Sequence, residues 1–262
     1  MSDNQDNRPD KLIADFEKAI YNHELILYYQ PQYNLNTLLC EGVEALIRWQ
    51  HPQKGLIQPD EFIRFIERND IILQMGEWVL LKACQQCKEW QQKGFKPIRM
   101  AVNVSEKQFR QKNFVSKVSQ ILQECELDPS YLELELLENV VINENDEKLI
   151  ETIWELKRLG VLITLDDFCT GYSKINYLTK IPVDRIKIDK SYIKNLHPQS
   201  NDEVFVRAII EMANRLKIQV LAEGVESLEQ LKILSSQQCH QIQGFYFSEP
   251  LPAEKIEKLF LS

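Results

Sequence analysis

Two patterns of apolar and polar positions alternate along the chain. Apolar residues at every second position mark strands, and apolar residues spaced by three or four mark helices. After a polar start, Lys11–Tyr21 reads as a short amphipathic helix. Leu25–Tyr33 and Leu38–Trp49 read as strands joined by a turn around Asn34–Thr37, a connection short enough to make the pair antiparallel. Helices follow over Pro59–Arg68 and Ile71–Lys93, with Pro59 in a first turn. Strand and helix then take turns. The strands are Ile98–Val104, Tyr131–Leu137, Val161–Asp166, Arg185–Ile188, Ile218–Glu223 and a short one near Gln241–Gln243. The helices are Asn113–Glu124, Glu147–Leu159, Asp202–Leu216, Leu228–Leu234 and Ala253–Phe260. Such a series, about eight strands mostly separated by helices, favours an α/β fold of the (β/α)8 barrel type over a doubly wound sheet.

Composition narrows the function classes. The 262 residues are 44% hydrophobic, enough for a sizeable core. With 31 basic against 39 acidic residues the formal charge is -8, which argues against broad binding of a nucleic-acid polymer. No apolar run approaches a membrane span, and the first ten residues carry no signal-peptide core. Residues 1–10 are read as a polar tail and 11–262 as one domain, cytoplasmic and not inserted in a membrane. Cys84 and Cys87 form a CxxC inside a helical pattern with no second pair, so they read as two thiols one turn apart and not as a zinc site. Neither GxGxxG nor GxxxxGK[ST] occurs.

In a barrel, chemistry gathers at the C-terminal ends of the strands. The second strand alternates Val43, Ala45, Ile47 and Trp49 against Glu44, Leu46 and Arg48, which points Glu44 and Arg48 inward. Asn103 ends the next strand. Glu133 and Glu135 alternate with Leu132, Leu134 and Leu136. An apolar strand stops at Asp166 and Asp167, Lys187 sits between Ile186 and Ile188, Glu223 ends the seventh strand and Gln243 follows the eighth. If the barrel closes, these carboxylates share one mouth with a single lysine. Their repulsion and desolvation call for cations, and oxygen donors without His or Cys select Mg²⁺ or Mn²⁺. A pair such as Asp166 and Asp167 suits two ions ~3.5–4 Å apart, the arrangement used for attack at phosphorus. Metal-assisted phosphoester hydrolysis is one reading. Proton abstraction by Lys187 from a carbonyl acid is the rival.

Eight ordered segments together resemble the EAL-domain phosphodiesterases of bacterial cyclic di-GMP signalling. They are Tyr28-Tyr-Gln-Pro-Gln32, Glu44-Ala-Leu-Ile-Arg-Trp49, Asn103-Val-Ser105, Glu135-Leu-Leu-Glu138, Leu165-Asp-Asp-Phe-Cys-Thr-Gly-Tyr-Ser173, Lys187-Ile-Asp189, Ala222-Glu-Gly-Val-Glu226 and Gln243-Gly-Phe-Tyr-Phe247. The resemblance implies a TIM-like barrel with an antiparallel first strand, and metal-dependent hydrolysis of cyclic di-GMP to linear pGpG. It implies Glu44, Asn103, Glu135 and Asp166 as ligands of one Mg²⁺ or Mn²⁺, and Asp166, Asp167 and Glu223 as ligands of a second. Lys187 would orient or activate the attacking water with Glu223 close by. Arg48 would hold a phosphate, and Gln30, Leu46, Asp189 and Gln243 would line the dinucleotide site. Glu138 would brace the loop after the fifth barrel strand of the βα series, which ends in Asp166 and Asp167. A homodimer is implied, as is a sensor or GGDEF partner outside this chain. The alternative is a weak or inactive domain that binds cyclic di-GMP or a protein.

Four positions depart from the family pattern. Cys169 stands for a usual glycine, Lys174 for a serine, and Leu137 and Asn139 for the threonine and serine around Glu138. None removes a metal ligand, and their expected effect is on turnover. The segment Tyr172–Ile181 carries Ile175, Tyr177 and Leu178, which either form a dimer surface or pack internally.

Overall fold

The computed structural model describes residues 8–141, 146–170 and 175–261. The elements run α1 (Arg8–Tyr21), β1 (Leu25–Asn34), β2 (Cys40–His51), β3 (Gly55–Ile57), α2 (Pro59–Ile66), α3 (Ile71–Gln92), β4 (Arg99–Val104), α4 (Glu106–Phe109), α5 (Phe114–Glu124), β5 (Leu132–Leu137) and α6 (Glu138–Val141). They continue with α7 (Glu147–Leu159), β6 (Leu162–Phe168), β7 (Arg185–Ile188), α8 (Lys190–Lys194), α9 (Asn201–Leu216), β8 (Gln219–Ala222), α10 (Leu228–Ser236), β9 (Gln241–Ile242) and α11 (Ala253–Leu261). The sheet order is β1-β9-β8-β7-β6-β5-β4-β2-β3, and β1 also pairs with β2, which closes eight strands into a barrel and leaves β3 as a flap on β2. β1 is antiparallel to both neighbours, and the other barrel neighbours pair in parallel.

Local chemistry sets the helix ends. Asp146 caps α7 by accepting from the Leu149 N–H, and Gly160, at φ 97°, closes it in the left-handed conformation. Ser200 caps α9, and Ser227 with Gln230 forms a capping box on α10. α1 starts three residues before the expected Lys11, because Pro9 falls in the first turn, where its missing N–H breaks no helical bond. The four- and five-residue helices α4, α6 and α8 and the flap β3 had no pattern long enough to announce them.

Alternation along the strands separates two environments. Leu132, Leu134 and Leu136 are fully buried beneath the helices, while Glu133 and Glu135 point into the barrel. The barrel lumen is thus polar. Its lower layer holds the Arg185–Glu133 ion pair at 2.8 Å, with Gln32 at 3.1 Å from Arg185. Its upper layer is the cluster around Lys187. Cys84 and Cys87 lie buried on α3, where burial raises both thiols, as expected for packing residues. No helix among the described residues is long and apolar enough to cross a membrane. Of Tyr172–Ile181, Tyr177, Leu178 and Ile181 are buried in the core, so these side chains offer no dimer surface. Tyr172 and Lys174 lie outside the described residues.

α1 closes the outer face of the barrel. Phe16 is fully buried, edge-on to Trp49 at 5.2 Å and stacked on Phe62 of α2 at 4.9 Å. Truncating a buried phenylalanine removes its transfer energy and leaves a cavity, so Phe16→Ala should cost about 3–5 kcal/mol. The urea midpoint should fall with the slope unchanged. A midpoint equal to that of the wild type would show that α1 lies outside the cooperative unit.

Candidate active site

The site assembles around one side chain. Lys187 on β7 is wholly buried, and its Nζ lies 2.7 Å from Glu223 Oε1, 2.9 Å from Glu135 Oε2, 3.4 Å from Asp166 Oδ1 and 3.5 Å from Glu44 Oε2. Four carboxylates, from β2, β5, β6 and the residue after β8, thus surround one ammonium. Burial works against the charged lysine, but Asp166, Glu135, Glu223 and Glu44 together hold it well above the ordinary lysine value.

The carboxylates respond unequally. Glu44 is buried, yet Lys187 and hydrogen bonds from Gln243 and Asn103 keep it below the usual carboxylate range. Glu135 is pushed well above that range, first by burial and then by Glu44. Burial and the neighbouring Asp166 raise Glu223 to about 8, against the pull of Lys187. Burial, Asp166 and Asp189 raise Asp167 to about 6.

A bulge brings Asp166 and Asp167 to the same mouth. Adjacent strand residues normally face opposite ways. Here the β6–β7 register shifts between Leu165 and Phe168, and Asp167 adopts φ 53°. Its N–H donates to Asp166 Oδ1 at 2.9 Å. Ligand oxygens of Asp166, Asp167 and Glu223 consequently lie within 4.8 Å of one another. The bulge re-aims both side chains, a recurrent use of such irregularities beside active sites.

The loop beyond the bulge is clamped from two sides. Cys169 has φ 64°, so a residue with a Cβ occupies the left-handed conformation that glycine adopts at little cost. Its N–H donates to Glu138 Oε2 at 2.8 Å, and its carbonyl accepts from the Tyr192 hydroxyl of α8. Glu138 is itself buried and held by the Tyr177 hydroxyl at 2.8 Å. The expected bracing by Glu138 has this geometry, while Tyr177 and Tyr192 carried no motif that singled them out.

The remaining expected residues fall in three places. Asn103 Nδ2 donates to Glu44 Oε1 at 2.7 Å, which turns its own Oδ1 away from that carboxylate. Gln243 Nε2 donates to Glu44 Oε2 at 2.6 Å and to Gln30 Oε1 at 2.9 Å. Gln243 holds this position because Gly244 packs on the 224–226 loop, where a Cβ would meet Val225 O at 2.2 Å. Arg48 is buried, donates to Ile47 O and lies 5.6 Å over the Tyr28 ring. Asp189 caps α8 and stands beside Asp167. Leu46 lines a cleft of about 670 Å³ with Ile63, Met75 and Asn103, apart from Gln30, Asp189 and Gln243.

The donor set fits divalent cations. Among the described residues, buried Glu135 Oε1 has no hydrogen-bond partner, and the cluster holds more carboxylates than Lys187 can offset. All its free donors are hard oxygens, the chemistry of Mg²⁺-like ions.

The EAL domain family model matches residues 13–250. A bifunctional diguanylate cyclase/cyclic di-GMP phosphodiesterase, MucR of Pseudomonas aeruginosa, is 38% identical over 246 residues, 94% of this chain and 36% of that protein. The cyclic di-GMP phosphodiesterase PdeR of Escherichia coli is 36% identical over 249 residues, 95% of this chain and 37% of its own length. The chain therefore spans just over a third of these curated relatives. The solved PaMucR phosphodiesterase in complex with c-di-GMP superposes with a TM-score of 0.90 at 38% identity, covering 94% of this chain and 99% of that one. The EAL enzyme Bd1971 gives 0.91 at 30% identity over 96% of this chain and 69% of its own. With its closed barrel, its antiparallel first strand and a family match from end to end of that barrel, this chain belongs to the EAL domain family.

Proposed function

We propose that the chain hydrolyses one phosphodiester bond of cyclic di-GMP to give linear pGpG. The observation that carries this reading is the Lys187-centred carboxylate cluster, complete in a chain 38% identical to a phosphodiesterase solved with that dinucleotide. Water's oxygen joins phosphorus, the bond from phosphorus to a ribose 3′-oxygen breaks, and that oxygen takes a proton. Glu44, Asn103, Glu135 and Asp166 would hold one Mg²⁺ or Mn²⁺, and Asp166, Asp167 and Glu223 a second. Such ions supply a water of lowered pKa and neutralise charge at the phosphate.

The chain's own groups divide the remaining work. Lys187, held as a cation, is a hydrogen-bond donor that orients the attacking water. A base role for it, as the rival proton-abstraction chemistry requires, conflicts with the four carboxylates at its Nζ. Glu223, bonded to Lys187 through Oε1, would take the water's proton in the ionised form that it adopts as a ligand of the second ion. Arg48 holds a phosphate through charge-assisted bonds. Gln30, Asp189 and Gln243 meet the dinucleotide at the mouth, and Leu46 offers an apolar wall for a base. A homodimer, a sensor or GGDEF partner and a cytoplasmic location belong to the same proposal; a single monomeric species in sedimentation would remove the dimer.

Chelation should abolish conversion of cyclic di-GMP to pGpG, with Mg²⁺ or Mn²⁺ restoring it. Lys187→Ala should lower kcat by at least ~10² with the far-ultraviolet dichroism retained. Arg48→Ala should act mainly on KM. Near wild-type kcat in Lys187→Ala would refute its role.

The metal-free protein should become less stable as pH rises from ~5 to ~8. Glu223, Asp167 and Glu135 have raised values, so the folded state retains protons that the unfolded chain releases above ~4. Lys187 contributes fully until pH exceeds ~10.4, and Glu44 loses its contribution only below ~4.3, so neither changes within the window. His240, lowered by burial, runs the other way as pH falls through ~6.5, one group against three. Melting temperatures across this range, with and without Mn²⁺, test the sign. Mn²⁺ should stabilise more at the higher pH, because binding no longer displaces protons. A metal-free melting temperature that climbs with pH would contradict the assignment.

Cys169→Gly should raise turnover at saturating metal, since relief of a left-handed Cβ is worth on the order of 1 kcal/mol, about fivefold if the strain is felt at Asp167. Equal rates would show that the Glu138 and Tyr192 clamps absorb the strain completely.

A further inference from the structure

We propose that Gln32 and Arg185, neither of which touches the carboxylate cluster, are positioning residues that fix the orientation of the metal ligand Glu44. This rests on the metal centre proposed above. A continuous line of hydrogen bonds descends through the barrel lumen. Gln243 Nε2 donates to Glu44 Oε2 at 2.6 Å, Gln32 Nε2 donates to Gln243 Oε1 at 3.1 Å, and Arg185 Nη1 donates to Gln32 Oε1 at 3.1 Å. Gln32, Arg185 and Gln243 are all buried, so none of these bonds competes with bulk water.

The two ends of the line allow one arrangement. A guanidinium only donates, and an ionised carboxylate only accepts. Arg185 therefore claims the Gln32 carbonyl oxygen, and the Gln32 amide NH₂ must face Gln243. That in turn claims the Gln243 carbonyl oxygen and aims its NH₂ at Glu44. Reversing either amide would set oxygen against oxygen in the buried lumen. Arg185 is anchored below by Glu133 at 2.8 Å. Room for the Gln32 amide comes from Gly42 on the paired strand, where a Cβ would lie 2.9 Å from Gln32 Oε1. Asn103 holds the other oxygen of Glu44 at 2.7 Å. Each Glu44 oxygen thus has one fixed donor, and the carboxylate plane is set before any ion arrives. Partners behind metal ligands of this kind typically govern 10–100-fold in metal affinity.

The test compares two substitutions of Gln32 in the full chain, reading Mn²⁺ affinity by calorimetry and melting temperature in parallel. Gln32→Glu still accepts from Arg185 but has nothing to give Gln243, whose carbonyl then faces a carboxylate below while its NH₂ is held above by Glu44 and Gln30 Oε1. Either way the amide settles, oxygen meets oxygen, so the melting temperature should fall and Mn²⁺ affinity should fall about 10–100-fold. Gln32→Leu removes the lock without setting oxygen against oxygen. It should lose less Mn²⁺ affinity, lying between the wild type and Gln32→Glu. A role in packing alone predicts the opposite order of Mn²⁺ affinity, with Gln32→Leu the worse of the two, and that result overturns the inference. Wild-type affinity in Gln32→Leu overturns it as well, whether or not Gln32→Glu folds. If the wild type itself takes up no Mn²⁺, the metal centre falls and this inference with it, which separates the two failures.

Discussion

The ammonium of Lys187 inside its ring of carboxylates is the constraint on which the rest of the structure turns. A wholly buried lysine is tolerable only with anions against it, and here β2, β5, β6 and the end of β8 each bring one. The count does not balance: one positive charge faces four carboxylates, with Asp167 beside them. A cluster shaped only for stability would stop at neutrality. This one keeps an excess of hard oxygen donors and a buried Glu135 oxygen without a partner, which is the electrostatic condition for recruiting divalent cations. The arrangement trades stability for function, because without cations the carboxylates repel one another, which adds to burial in holding Glu135 and Glu223 above the usual carboxylate range.

That repulsion explains the scaffolding around it. β6 ends in a bulge so that two neighbouring aspartates face one mouth, and the left-handed residues Asp167 and Cys169 carry its backbone cost. Glu138 and Tyr192 grip the backbone of Cys169 from β5's end and from α8, and Gly244 lets the segment after β9 settle against Val225. Below, where such barrels usually hold layers of branched apolar residues, the lumen holds Gln32, Glu133, Thr164 and Arg185, whose hydrogen bonds connect to Glu44 through Gln243.

Much of this was legible in the sequence because strand alternation and strand-end chemistry obey simple rules. Leucine–glutamate alternation at 132–136 foretold which face of β5 is wet, and Glu44, Asn103, Glu135, Asp166, Lys187 and Glu223 do converge. What escaped was the layer beneath. Of that layer only Glu133 stands out in the sequence, through its alternation with the leucines of β5. Gln32 lies two residues from Gln30 and Arg185 two from Lys187, so the same period of two puts both on the inner face, but neither sits at the strand end that marks catalytic chemistry. The bulge at Asp166 and Asp167 had no signal of its own, since left-handed aspartate and cysteine replace the glycine that normally advertises such a turn. Tyr177 and Tyr192 belong to the same class: each acts through one hydroxyl across a long sequence separation.

The central claim is that this carboxylate cluster is a two-ion centre organised around Lys187. Anomalous scattering from crystals grown with Mn²⁺ tests it most directly. The account predicts two manganese peaks per chain, one among Glu44, Asn103, Glu135 and Asp166 and the other among Asp166, Asp167 and Glu223, with Lys187 Nζ still against Glu223. Ordered cyclic di-GMP at the mouth of the barrel with no manganese peak in this cluster would contradict it.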